Sequence, residues 1–400
     1  LKYILVLLVL TISNFNFAQR VDSESLYSPD GIFDKVFDKN GTIYNLAEIE
    51  AGKSYGSSRE STVTNVLLCT SGIFELYFET GCGMENTTAI HNQRRAILCQ
   101  AFQDISDFIN TPLKNSGNTN KVKIWIRNPA NLTLAMPPDT GGAASSFYNI
   151  PLDGSIGTNI PTRGIIDNEI WKTIHSGKDS FSNTVFPVIS SETNTGFYHG
   201  WASFNFAGTV NWNLDYNKYN AATGYVTNSS DFYTVIVHEI THALGFNSLI
   251  NHYGDSILYA NTNGTIFGKY YTRYDKNLKT GSNLSLLTNN PATGGQMYDF
   301  SLNTSVSQNS LHPNCNLSPP VFNGNSGAFN CSTSLKYVGS TTVPIYNPPC
   351  FENGISLSHF EDACYNSNTN DQYFMMSDRG SGVFAKRFLT PEERQVLCDI

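Results

Sequence analysis

Hydrophobic and polar positions change period several times along this chain, and each change predicts an element. Ile73-Phe74-Glu75-Leu76-Tyr77-Phe78 is a short run rich in aromatic and branched residues and predicts a strand. Over 91–110, Ala96, Ile97, Ala101, Ile105 and Phe108 recur at helical spacing, and Thr111-Pro112 stops that helix. Val122-Lys123-Ile124-Trp125-Ile126 alternates and predicts another strand. Strand, helix, strand in succession points to an α/β or α+β domain. The stretch 129–200 is rich in loop signals, with a weak strand signal at Thr184–Ile189. Residues 201–214 alternate again and predict a strand or hairpin.

Two signals conflict in the next segment. Thr234-Val235-Ile236-Val237 is β-branched, and propensity alone would make it a strand. The segment is nevertheless apolar almost all round, as a buried helix is. Ser229, Ser230 and Asp231 offer N-caps, and Gly245 offers a left-handed stop, so a helix is predicted between them. From 247 to 358, Asn, Ser, Gly, Thr and Pro dominate, which predicts an irregular, disulfide-braced region. Thr390-Pro391-Glu392-Glu393 is a capping box with Pro at the first helical position, and Val396 and Leu397 give the helix that follows its apolar face. The chain stops at Ile400 inside that helix with no C-cap, the expectation for a piece of a longer protein. Residues 19–68 are polar and turn-rich and read as an N-terminal extension or pro-segment.

Composition narrows the class. The 400 residues suffice for one large domain or two modest ones. Only 14% are charged and the net charge is -8, with no basic stripe, which argues against nucleic acid as a partner. At the N-terminus one Lys precedes an apolar run from Tyr3 to Ile12, then a polar break and Phe17-Ala18-Gln19. That predicts a signal peptide over 1–18 and a secreted chain. The run is too short for the ~20 apolar residues of a span, so no stable membrane span is expected. The eight cysteines are Cys69, Cys82, Cys99, Cys315, Cys331, Cys350, Cys364 and Cys398. An even set in an exported chain predicts disulfides, whose connectivity stays open, and no CxxC spacing suggests a cysteine metal site. Cys69 alone has a second reading, as an inhibitory thiolate on a metal.

The chemistry lies in His238-Glu239-Ile240-Thr241-His242. Positions i and i+4 of a helix sit nearly above one another, so both imidazoles can face one ion. Glu239, about 100° around the helix, can take a proton from a water activated by zinc. Zinc lowers the pKa of such a water to about 7 and polarises carbonyls, so the expected reaction is peptide-bond hydrolysis on protein or peptide substrates. A catalytic zinc takes three protein ligands. Ser248 stands three residues after Gly245, where many such enzymes carry the third histidine, and a neutral hydroxyl is a poor substitute. No Glu lies between Glu239 and Glu352. The candidates are therefore His252, Asp255, Asp275, His312 (beside Cys315, and read as structural) and His359. His91, His175 and His199 read as surface or structural residues.

HEITHALGF (238–246) resembles the active-site helix of metzincin zinc metallopeptidases, and within that clan the leishmanolysin family. That family also lacks the third His at +3 from the Gly and supplies it after an insertion, ahead of a Met-turn. Ser356-Leu357-Ser358-His359-Phe360 and then Tyr373-Phe374-Met375-Met376-Ser377 stand in that order here. The resemblance implies a secreted zinc endopeptidase with His238, His242 and His359 on the metal, Glu239 as general base and Met375 as the Met-turn. It also implies an α+β fold in two subdomains, over 69–247 and 248–400. The chain departs from the family at Ser377, where Pro is usual, and in the 117-residue separation of His242 from His359. Trp201–Trp212 reads equally as a core strand or as the rim strand on which metzincins bind substrate as an added strand. A reading from another class, a secreted adhesive module with a vestigial metal site, sits poorly with the intact His-Glu-His trio.

Overall fold

A computed structural model describes residues 35–37, 43–45, 66–115, 120–132, 136, 140–148, 164–180, 198–215, 229–250, 256, 258–262, 265–289, 295–299, 335–347, 356–362, 373–377 and 386–400. The proposed signal peptide and Thr184–Ile189 lie outside them. Short strands β1 (Lys35–Phe37) and β2 (Ile43–Asn45) pair antiparallel. The main sheet is built from β3 (Val66–Ser71), β4 (Phe74–Phe78), β5 (Val122–Arg127), β6 (Gly142–Ser146) and β7 (Gly200–Phe204). Its order is β3-β4-β5-β7-β6. Strands β4, β5 and β7 run parallel, and the outer strands β3 and β6 run antiparallel to their neighbours. The fold class is α+β with a mixed sheet.

Helix α1 (Ala89–Phe108) connects β4 to β5. Thr88 caps it by accepting a hydrogen bond from the His91 amide, so it begins two residues before the predicted 91. Its buried Ile97, Leu98, Ala101, Phe102 and Ile105 share a core with Phe74, Leu76, Ile124 and Ile126 of the sheet. Phe74 and Phe102 meet edge to face at 5.1 Å. Short helix α2 (Pro112–Asn115) follows the predicted proline stop. Helix α3 (Glu169–Ser176) packs near β5, and α4 (Phe232–Ala243) lies along β6 and α1. Strands β8 (Trp212–Asn213) and β9 (Ser230–Asp231) pair just ahead of α4.

The stretch predicted as irregular contains several short pairings. Strands β10 (Leu258–Thr262) and β11 (Thr265–Tyr270) form a hairpin, α5 (Arg273–Lys276) follows, and β12 (Leu278–Lys279) joins β15 (Lys336–Val338) and β16 (Thr342–Pro344) in a three-stranded sheet. Strands β13 (Leu287–Asn289) and β14 (Gln296–Tyr298) pair antiparallel. Helix α6 (Pro391–Asp399) begins at the predicted capping box.

Two further expectations change. Cys69 lies inside β3, which runs from Val66 across the predicted boundary at 69, and it is disulfide-bonded to Cys99 of α1. That bond removes the metal-thiolate reading. Cys82 is a buried free thiol and Cys398 an exposed one, so neither takes the disulfide the even count predicted; Cys315, Cys331, Cys350 and Cys364 lie outside the described residues. Of the two readings of Trp201–Trp212, the core strand holds where β7 runs, since β7 is interior and β6 is outermost on that side. No described helix is long and apolar enough to cross a membrane.

Candidate metal centre

Helix α4 carries the candidate site, and its β-branched sequence becomes helical through capping and burial. Asp231 accepts from the Thr234 amide at 3.1 Å and from its hydroxyl at 2.8 Å. The same carboxylate receives Arg387 through two nitrogens, at 2.7 and 3.0 Å, and Asn213 at 3.0 Å. Phe232, Ile236, Val237, Ile240 and Ala243 are all buried, so tertiary packing overrides the weak local preference. The helix ends where the Gly245 amide donates to the His242 carbonyl at 3.0 Å. Gly245 sits at φ +123°, a backbone region that glycine alone enters freely.

His238, His242 and His359 converge. Their Nε2 atoms stand 3.2 Å apart for His238 and His242, 3.2 Å for His238 and His359, and 3.3 Å for His242 and His359. The other ring nitrogens fix the tautomers. Nδ1 of His238 donates to the Met375 carbonyl and Nδ1 of His242 to the Phe246 carbonyl, each at 2.7 Å. A carbonyl only accepts, so those nitrogens carry the protons and the Nε2 lone pairs face inward. Burial pushes the His238 imidazole down to about 4 and His242 well below its ordinary value, so both are neutral at pH 7. Lone pairs aimed at one another are a donor set for a cation. Ligand nitrogens about 2.1 Å from a tetrahedral ion stand about 3.4 Å apart, close to the spacing here. The trio could therefore hold a metal ion, and it is the one such group of three or more found among the described residues.

His359 reaches this point on a loop held from several sides. Leu357 turns the chain at φ +70°, an uncommon conformation for a residue with a Cβ, at about 1–2 kcal/mol. The Leu357 amide donates to the Tyr346 carbonyl at 3.1 Å, and the Tyr346 amide returns to the His359 carbonyl at 2.8 Å. The Phe360 amide donates to the Met376 carbonyl at 2.8 Å, which joins this loop to the methionine turn. Met375 and Met376 are both fully buried. Met376 is fixed in turn by helix α6, where Glu393 accepts from the Met376 amide at 2.6 Å and from the Thr390 amide at 2.7 Å.

Glu239 is 3% exposed and faces β6. A Cβ on Gly142 of that strand would meet Glu239 Cγ and Val235 Cγ1 at 3.0 Å, so the glycine lets the strand approach the helix. Asp275, a candidate third ligand by sequence, is committed elsewhere. Its carboxylate accepts from the Ser248 hydroxyl at 2.6 Å, the Leu249 amide at 3.0 Å and the Thr272 amide at 2.9 Å, and burial raises it to about 6. His252, Asp255 and His312 lie outside the described residues. The remaining histidines serve structure. His91 contacts Glu85 at 3.2 Å, and His175 stacks on Trp171. Buried His199 accepts from the Lys123 amide at 2.8 Å and contacts Asp179 at 3.1 Å.

Sequence reasoning did not find Arg387 or the second bond of Glu393. The capping box marks Glu393 as a helix cap, and nothing local marks it as a partner of Met376. Compared with protein-family models, curated proteins and solved structures, the chain gives no match.

Proposed function

We propose that this chain is a secreted zinc endopeptidase of metzincin type, resembling the leishmanolysin family, with His238, His242 and His359 on the zinc and Glu239 as general base. The observation that carries this reading is the convergence of three imidazole Nε2 atoms within 3.3 Å, two of them held as neutral tautomers by backbone carbonyls, with Glu239 following His238 on the same helix. Three imidazoles suit zinc, whose catalytic sites take three protein ligands. When bound, zinc supplies a Lewis acid that polarises a carbonyl and acidifies water.

The chain's own residues supply the rest. The Met375 and Phe246 carbonyls orient two of the imidazoles. Glu239 accepts the proton of the attacking water and delivers it to the leaving amine. Strand β6, outermost beside α4, serves as the rim strand and offers its edge to an extended peptide. On this reading the main sheet with α1 and α4 is the upper subdomain, and the described segments after 247 belong to the lower one. Cleavage of casein or gelatin by zinc-loaded protein, abolished by 1,10-phenanthroline and by Glu239→Ala, tests this. If Glu239→Ala cleaved as the parent does, the enzyme reading would be wrong and a binding module with a metal site would take its place.

A further inference from the structure

The position that breaks the expected histidine pattern is Ser248, and in the fold it lies beside the loop that brings the histidine from elsewhere. The Ser248 amide donates to Ser358 Oγ at 3.1 Å, and Ser358 Oγ donates onward to Asn247 Oδ1 at 3.2 Å. Ser358 is the residue immediately before His359. The Ser248 hydroxyl donates to Asp275 Oδ1 at 2.6 Å, and Asp275 Oδ2 takes the Leu249 amide at 3.0 Å and the Thr272 amide at 2.9 Å. Thr272 closes the ring by donating its hydroxyl to the Asn247 carbonyl at 2.9 Å. Asn247, Ser248, Thr272, Asp275 and Ser358 are each no more than 6% exposed. Hydrogen bonds of this kind, out of water and in part to a carboxylate, hold geometry strongly.

We infer that Ser248, Asp275 and Ser358 form a clamp that positions His359 over the other two histidines. The exit of α4 is stapled to α5 through Asp275, and the stapled segment then hooks the loop at Ser358. The segment that in the more common pattern would carry the third imidazole instead holds the backbone that carries it. The backbone bonds of Tyr346 and Phe360 set the direction of the loop, Phe360 packs on Phe246, and Ser358 adds a side-chain hydrogen bond to the segment leaving α4. The inference rests on the metal reading above, and its test separates the two.

The test uses the full chain with Co(II) as probe. Affinity comes from competition with a chromophoric chelator, geometry from the visible d–d bands. Parent protein binding one Co(II) with the intense bands of a four-coordinate site supports the metal reading; absence of such binding overturns it, whatever the variants do. Given that binding, Ser358→Ala and Asp275→Asn should each weaken Co(II) by about 10–100-fold, as loss of partners behind metal ligands does. Their d–d bands should also weaken as His359 leaves, and Ser358→Thr, which keeps the hydroxyl, should restore both. If Asp275→Asn does not fold, Ser358→Ala decides alone, since it removes a single buried hydroxyl with its two hydrogen bonds. Unchanged affinity and bands in Ser358→Ala, with only a lower unfolding temperature, would show a merely structural contact and overturn the clamp while leaving the metal site standing.

Discussion

At the scale of single residues, His359 and Glu393 give separable tests. His359→Ala should weaken metal binding by more than the 10–100-fold, roughly, that outer partners cost, because it removes a ligand and not its support. Isothermal titration with zinc would read this. Glu393 predicts a pH dependence. Burial raises its carboxyl to about 7, although the Met376 and Thr390 amides and Lys386 work against the rise. The folded state then binds more protons than the unfolded state between the ordinary carboxyl value and about 7, so stability falls as pH rises through that window. Thermal unfolding from pH 5 to 8 should show the parent losing stability relative to Glu393→Gln. Parallel curves for the two proteins would contradict it. Residue identities of this kind were partly legible: the His-Glu-His trio is visible because helical spacing makes it local. The roles of Asp275 and Arg387 were not, because each contact spans many residues, 156 between Arg387 and Asp231.

At the scale of elements, α4 and β6 act together. Asp231 caps α4 while neutralising buried Arg387. A lost cap costs about 1 kcal/mol, whereas stranding a buried charge costs roughly 3–5 kcal/mol. Asp231→Ala should therefore destabilise the protein by the larger figure, measured by urea unfolding, and a loss near 1 kcal/mol would mean that Arg387 finds another partner. Gly142→Val should displace Glu239, since even a Cβ there stands 3.0 Å from its Cγ. A misplacement near 1 Å lowers turnover by about 10²-fold, with metal content unchanged. Helices α1, α4 and α6 were readable from apolar period and caps. Strands β12 and β15 were not, because each is two or three residues long and Leu278 pairs with Tyr337, far along the chain. Alternation also could not tell interior β7 from a rim strand, since a strand's place in a sheet is set by its partners.

For the whole molecule, one apolar core runs from the sheet through α4 to the segment bearing His359. Phe74, Ile236, Phe246, Phe360, Met375 and Val396 all belong to it. The candidate metal centre thus sits where parts of the chain separated by 117 residues share a core. The Cys69–Cys99 bond closes a 30-residue separation between β3 and α1, neither of which carries a candidate ligand. Replacing both cysteines by alanine should cost about 3–4 kcal/mol of stability and leave metal affinity unaltered. In the proposed site His238, His242 and His359 bind one zinc together. Zinc-edge X-ray absorption on the one-to-one complex measures it directly. Three imidazole nitrogens at about 2.0–2.1 Å are expected, falling to two in His359→Ala. A sulfur scatterer near about 2.3 Å, or an imidazole count that His359→Ala leaves unchanged, would contradict it.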